Sequence, residues 1–304
     1  MLKKIYEHKN VINKVNVKKS LLHIKRHGFR SFLQKAKENV FVNIGYAEWI
    51  KRNTPDDEEL KAQRRIRFPV EPKISIVVPI FETPRKYLVE MIESVLKQTY
   101  GNWELCIADG FSRKVHVKEV LDIYEGIKDG RIRIKHLEEN KGIVGNTNEA
   151  IRLATGEFIA FMDHDDLIPP FALYKVVKTI NENPNADLIY SDEDKVLDDG
   201  ITRFDPHFKP DWSPDTLRSY NYINHLTVIK KDLLKSTGML REGFEGSQDY
   251  DFLLRAVENA RKIIHIPDIL YHWRAAQGSV AENSDAKLYV YESAKGALID
   301  HLAR

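Results

Sequence analysis

From Lys73 onward, short apolar runs alternate with amphipathic segments of helix length, and this alternation narrows the fold more than any other feature of the chain. Ile74–Ile80 is rich in β-branched residues and reads as a buried strand. Residues 87–98 read as a helix with Leu88, Met91, Ile92, Val95 and Leu96 on one face. Residues 103–108, 132–136 and 157–162 read as further strands, and 115–124 and 146–154 as the helices between them. The pattern predicts an α/β fold: a mostly parallel sheet flanked by helices on both faces. After Leu188 to Tyr190 the alternation weakens, and Pro, Asp and aromatic residues crowd positions 191–225. Such a stretch is expected to build a binding face rather than more sheet.

The first 70 residues follow a different grammar. Leu21, Leu22, Ile24, Phe29, Phe32 and Leu33 are spaced as a loose amphipathic face among lysines and arginines, which predicts a basic helical extension. Residues 54–59 place carboxylates where the first turn of a helix favours them, and Pro69 and Pro72 then punctuate the chain. Residues 1–40 hold eleven Lys or Arg against two acids, a balance of +9. The whole chain carries +2, so the other residues carry −7. A basic arm on an acidic body points to an anionic partner for the arm, and a phospholipid surface is preferred to nucleic acid because the arm has few interleaved aromatics. No run of eighteen apolar residues and no signal-type leader occurs, so the expectation is a cytoplasmic protein, with the arm able to meet the inner membrane face. Cys106 is the single cysteine; it excludes an intramolecular disulfide and reads as a small buried strand residue.

The strongest local signal for chemistry is the apolar run 158–162 ending in Asp163-His164-Asp165-Asp166. In open α/β sheets ligands bind at the carboxyl ends of strands, and clustered carboxylates need a positive group to neutralise them. A hard divalent cation held with diphosphate oxygens fits; the alternative is a solvated acidic turn in which Asp166 caps the next helix near Pro169 or Pro170. Asp109 ends the run 103–108 before Gly110, placing it at a strand tip where it either meets a base or ribose or serves as a turn residue. Residues 140–148 form a polar, glycine-bearing loop entering a helix, able to offer backbone N–H groups. Asp249 and Asp251 open a later helix, where capping alone would explain both. Finally Tyr271-His272-Trp273-Arg274 follows the apolar segment 263–270; His272 is a candidate metal ligand and Arg274 a candidate phosphate partner.

Taken together and in this order, these pieces resemble the family 2 glycosyltransferases of the A fold, over residues 73–304. The resemblance is most specific in residues 74–79, Asp109-Gly110, the Asp163–Asp166 motif and Gln248-Asp249-Tyr250-Asp251. It is strongest toward bacterial rhamnosyltransferase-like enzymes of cell-surface polysaccharide synthesis, which share residues 191–195 and 271–274. It implies a nucleotide-sugar-binding half over 73–166 and an acceptor-binding half over 167–304. It also implies that a UDP- or dTDP-linked donor meets Pro79, Phe81, Asp109, Asn148, Asp163 and Arg274. Mn²⁺ or Mg²⁺ would be held by Asp165, with Asp163 and His272 contributing, and Asp249 would be the base of an inverting transfer to a glycan or lipid-linked acceptor. Relatives of this kind often carry a second module, so this chain is expected to be one module of a longer protein. Three positions depart from the family pattern: Glu82 stands for an asparagine, Gln248 for the first acid of a Glu-Asp pair, and Thr147 for an arginine. A sugar-phosphate nucleotidyltransferase would instead carry a glycine-rich basic loop after the first strand, where this chain has Glu82-Thr83-Pro84. A non-catalytic nucleotide-sugar or glycan-binding module is the other alternative, separated by donor binding without transfer.

Overall fold

The computed structural model describes residue 25 and residues 45–127, 129–275 and 284–304, with the side chains of 284–287 excepted. The chain divides into two compact units, Met1–Thr54 and Pro55–Arg304. In the first, residues 45–53 are helical, and Tyr46 and Trp49, one turn apart, stack at 5.8 Å between ring centres. The amphipathic positions expected over 21–33 lie outside the described residues, apart from Lys25.

The second unit opens with helix α1, Asp57–Gln63. Asp56 caps it by accepting from the N–H groups of Glu58 and Glu59, and the Glu59 carboxylate returns to the Asp56 N–H. The carboxylates of 54–59 therefore start a helix, as their placement predicts. Strands and helices then alternate as β1 Ile74–Ile80, α2 Arg85–Leu96, β2 Trp103–Asp109, α3 Val115–Gly126, β3 Ile132–His136, α4 Gly142–Leu153 and β4 Phe158–Phe161. Helix α5 covers Ala172–Glu182, β5 Leu188–Val196, β6 Arg203–His207, α6 Pro214–Ser219 and β7 Thr227–Lys230. Helix α7 covers Leu234–Thr237, α8 Gln248–Asn259, β8 Ile263–Arg274 and α9 Ser284–Ala303.

Strand order is β3-β2-β1-β4-β7-β5-β6, with β8 on the other edge of β5. The β3, β2, β1 and β4 strands are mutually parallel, as the strand–helix alternation requires. Beyond β4 the sheet becomes mixed: β7 runs antiparallel to both β4 and β5, while β8 runs parallel to β5. Alternation along β1 distributes its side chains to two cores. Ile76, Val78 and Ile80 join Leu88, Met91, Leu121 and Leu173 on one face, whereas Val77 joins Cys106, Val144, Ile151, Phe252 and Leu254 on the other. Each such aliphatic or aromatic side chain contributes roughly 1.5–3 kcal/mol by leaving water. Cys106 is fully buried, and burial pushes its thiol up to about 12, so it is an inert packing residue.

Candidate active site

The register of the sheet brings the site together. Val77 on β1 pairs with Phe161 on β4, so Pro79 stands level with Asp163, two residues further along both parallel strands. Phe161 pairs antiparallel with Thr227, so the residue opposite Asp163 is His225, two positions before Thr227. A pocket opens at this edge, lined by Pro79, Thr147, Asp163, His225, Gln248 and Asp249 among others. It lies at the carboxyl ends of the parallel strands, where the family of doubly wound sheets binds ligands.

Asp163 is anchored through its backbone: its N–H donates to the Tyr271 hydroxyl at 3.1 Å. Its carboxylate lies 3.6 Å from His225 Nε2 and remains about half exposed. The His225 ring stacks on Tyr271 at 4.4 Å, and its buried Nδ1 has no hydrogen-bond partner. Asp166 is wholly buried; its two oxygens accept separately from the Tyr271 hydroxyl (2.6 Å) and the Arg274 N–H (2.7 Å). It ties the acidic turn to β8 and caps no helix, contrary to the turn-capping alternative: both of its oxygens are engaged by β8, and α5 has Phe171 at its N-cap with no side-chain cap. Asp163, Asp166 and His225 each offer a ligand atom within 4.8 Å of the others. Burial first, and then the Asp163 carboxylate, raise the Asp166 and Asp249 carboxyls; burial also leads the upward shift of Asp165. This accumulation of negative charge, beside an orphaned imidazole nitrogen, fits a divalent cation.

Asp249 enters from α8. Gly246 precedes it with φ +79°, and a Cβ there would meet Val290 at 2.6 Å, so the turn into the helix requires glycine. Gln248 Nε2 donates to Asp249 Oδ2 at 2.9 Å. The amide that replaces the family's first acid therefore orients the carboxylate without adding charge to it. Burial and the facing Asp163 push Asp249 up to about 6, within the range suited to a general base near neutrality. Asp251 turns the other way: buried, it pairs with Arg255 Nη2 at 2.8 Å and with Arg241. One acid at the start of α8 faces the pocket and the other holds the helix in place.

Several expected contacts fall elsewhere. His272 points to the opposite face of β8 from Tyr271, and its Nδ1 meets buried Asp194 at 2.5 Å. Alternation along the strand removes it from the convergent ligand set, and His225 occupies the place expected for it. Asp165 also lies outside that set, with its carboxylate 3.7 Å from His164 Nδ1. Arg274 is not free to meet a phosphate: buried, it donates to the Asp165 carbonyl (2.6 Å) and to Glu90 (2.7 Å), and its guanidinium packs over Tyr87. Asn148 uses both ends of its amide on the Leu240 backbone, at 2.9 and 3.1 Å. The loop expected over 140–148 is helical from Gly142 onward.

Asp109 ends β2 as expected, but its carboxylate accepts from the Ser112 N–H at 3.1 Å and lies 3.2 Å from His136 Nδ1. Phe81, just past β1, is exposed and outside the pocket lining. Glu82, the departure beside it, adopts φ +54° and accepts from the Arg113 N–H at 2.7 Å, tying the tips of β1 and β2 together. Pro79, Asp163 and Asp249 are the expected residues that the fold gathers into one pocket. His225 and Gln248 join them; the sequence signal for His225 was a histidine two residues before a buried β-branched run.

Comparison with known proteins matches the family model "Glycosyl transferase family 2" over residues 75–237. The chain belongs to the family 2 glycosyltransferases. It is 49% identical, over 77% of its length, to an uncharacterized protein of Sinorhizobium fredii, of which it covers 26%. It is 33% identical, over 85% of its length, to the O-antigen biosynthesis protein RfbC of Myxococcus xanthus, of which it covers 20%. This family 2 glycosyltransferase chain thus spans about a quarter of the first relative and a fifth of the second. Among solved structures, TarS 1–349 of S. aureus matches with TM-score 0.55 and 26% identity, covering 66% of this chain and 60% of that one. The same protein in complex with UDP-GlcNAc matches with TM-score 0.60 and 23% identity, over 74% and 65% of the two chains. The α/β sheet flanked by helices is the A fold of glycosyltransferases.

Proposed function

We propose that the chain transfers a sugar, with inversion, from a UDP- or dTDP-linked donor to a glycan or lipid-linked acceptor in cell-surface polysaccharide synthesis. The observation that carries this reading is the Asp249 carboxylate, raised to about 6, sharing a pocket with Asp163 and His225 at the strand-tip edge of the sheet. In the proposed reaction Asp249 takes the proton of an acceptor hydroxyl. The hydroxyl oxygen bonds to the anomeric carbon as the carbon–oxygen bond to the diphosphate breaks on the opposite face. The electron pair of the broken bond leaves with the nucleoside diphosphate. Gln248 holds Asp249 in orientation, and Pro79 and Thr147 line the donor side. Asp163 and His225, with Asp166 behind them, would hold Mn²⁺ or Mg²⁺, which supplies charge neutralisation to the departing diphosphate. The polysaccharide setting draws support from the M. xanthus relative, whose name assigns it to O-antigen biosynthesis.

The test is thermal unfolding with UDP, with and without Mn²⁺, in wild type and in Asp163→Asn. Ligand binding to the native state raises the melting temperature by mass action, so UDP with Mn²⁺ is expected to stabilise wild type and to lose that effect in the variant. Transfer from nucleoside diphosphate sugars is expected to stop on chelation and return with Mn²⁺ or Mg²⁺. Full transfer in excess chelator would overturn the metal assignment.

A further inference from the structure

We infer that Trp273 is a stacking platform for a sugar ring of the acceptor, on the side of the pocket remote from β1; the inference rests on the transferase reading above. Among the four residues that end β8, Tyr271, His272 and Arg274 are buried, whereas Trp273 is 42% exposed. A half-exposed aromatic side chain beside a pocket with convergent polar groups is what ligand sites use to hold an apolar face. Trp273 lies on the same face of β8 as Tyr271, two residues away, and that face looks toward the site. Its ring approaches the His225 ring at 6.4 Å, edge to face, and His225 in turn borders Asp163. The platform therefore adjoins the reacting edge while lying outside the lining of the pocket itself.

The polar surroundings match a carbohydrate. Lys195 Nζ lies 5.9 Å from the centre of the Trp273 ring and 2.5 Å from Asp205 Oδ2, and both side chains are more than a third exposed. One offers donors and the other acceptors to ring hydroxyls. Two residues along β6 from Asp205, His207 pairs with Glu193 at 3.5 Å and lies 6.2 Å from the ring of half-exposed Tyr220. An indole face for the C–H groups of a pyranose, flanked by a cation and a carboxylate, is a composition suited to a sugar ring. Neither an anionic nor a purely apolar ligand would use all of these groups.

The experiment titrates the full chain with a panel of methyl pyranosides and reducing-end-capped disaccharides, read by saturation-transfer NMR, in wild type, Trp273→Leu and Trp273→Phe. UDP with Mn²⁺ is titrated in parallel. Trp273→Leu is expected to weaken the best-binding glycoside about tenfold or more, and Trp273→Phe by less, since it keeps an aromatic face. UDP affinity is expected to be the same in all three, which also reports that the variants are folded. Equal glycoside binding by wild type and Trp273→Leu would overturn the platform, as would a wild type that binds no glycoside in the panel. Glycoside binding that depends on Trp273 in a protein that never binds UDP would keep the platform and overturn the donor reading instead.

Discussion

At the scale of single residues, two aspartates two positions apart on one helix carry opposite assignments. Asp249→Asn keeps size and the Gln248 contact but removes the proton acceptor. Turnover is expected to fall roughly 10²- to 10⁴-fold, with UDP affinity unchanged because the lost interaction belongs to the transition state. In wild type the rate is expected to fall tenfold per pH unit below about 6, where Asp249 takes up its proton. The linkage to stability has a definite sign. The folded-state value of about 6 lies above the ordinary 3.8, so folding favours the protonated form. The resulting cost appears as pH rises from the ordinary value to about 6 and is complete above it. Asp249→Asn is therefore expected to raise the melting temperature at pH 7 and to leave it unchanged near pH 4; a drop at pH 7 would count against the buried-base assignment. Asp251→Asn breaks a buried pairing with Arg241 and Arg255 and is expected to cost roughly 3–5 kcal/mol in denaturant unfolding.

At the scale of elements, the acidic turn after β4 is held from β8. The Tyr271 hydroxyl donates to Asp166 and accepts from the Asp163 N–H, while Arg274 reaches the Asp165 carbonyl and Glu90 on α2. Three of the four residues from Asp163 to Asp166 are thus fixed by two residues of one strand. Tyr271→Phe leaves a buried carboxyl short of one partner, which costs about 1–3 kcal/mol, and frees the Asp163 backbone. The variant is expected to unfold at lower denaturant and to bind Mn²⁺ more weakly by calorimetry. Unchanged Mn²⁺ affinity would show that β8 does not position the cluster. The departures from the family pattern also make sense as parts of elements. Glu82 ties the tips of β1 and β2 together, and Gln248 serves the residue beside it on α8.

At the scale of the whole molecule, the charge asymmetry separates the chain's two ends. The basic segment 1–40 lies outside the described residues except for Lys25, and no described helix is long and apolar enough to cross a membrane. The proposal that this segment docks on an anionic lipid surface rests on its balance of +9. Each Lys or Arg near such a surface contributes about 1 kcal/mol, so a few engaged residues suffice at low salt. Residues 55–304 form a compact unit with both cores. In sedimentation with phosphatidylserine vesicles, the full chain is expected to pellet and 55–304 to stay in solution, with the difference vanishing at high salt. Equal pelleting of the two would refute docking.

The strand–helix alternation by itself determined the parallel half of the sheet, because a strand buried on both faces and a one-sided helix leave different periodicities in the sequence. Ile74–Ile80 and Ile132–His136 are strands at the predicted bounds, and Asp109 and Asp163 stand at or just past the ends of theirs. Asp249 was marked by its place in a motif. What the sequence did not contain was register. Only the antiparallel pairing of β4 with β7 sets His225 opposite Asp163, across sixty-two positions of chain. Only the alternation of β8 sends His272 to Asp194 and leaves Trp273 at the rim of the site. Motif spacing is a property of one strand, whereas which side chain faces a ligand depends on the pairing and pleat of strands far apart in sequence, and the tertiary structure alone decides those.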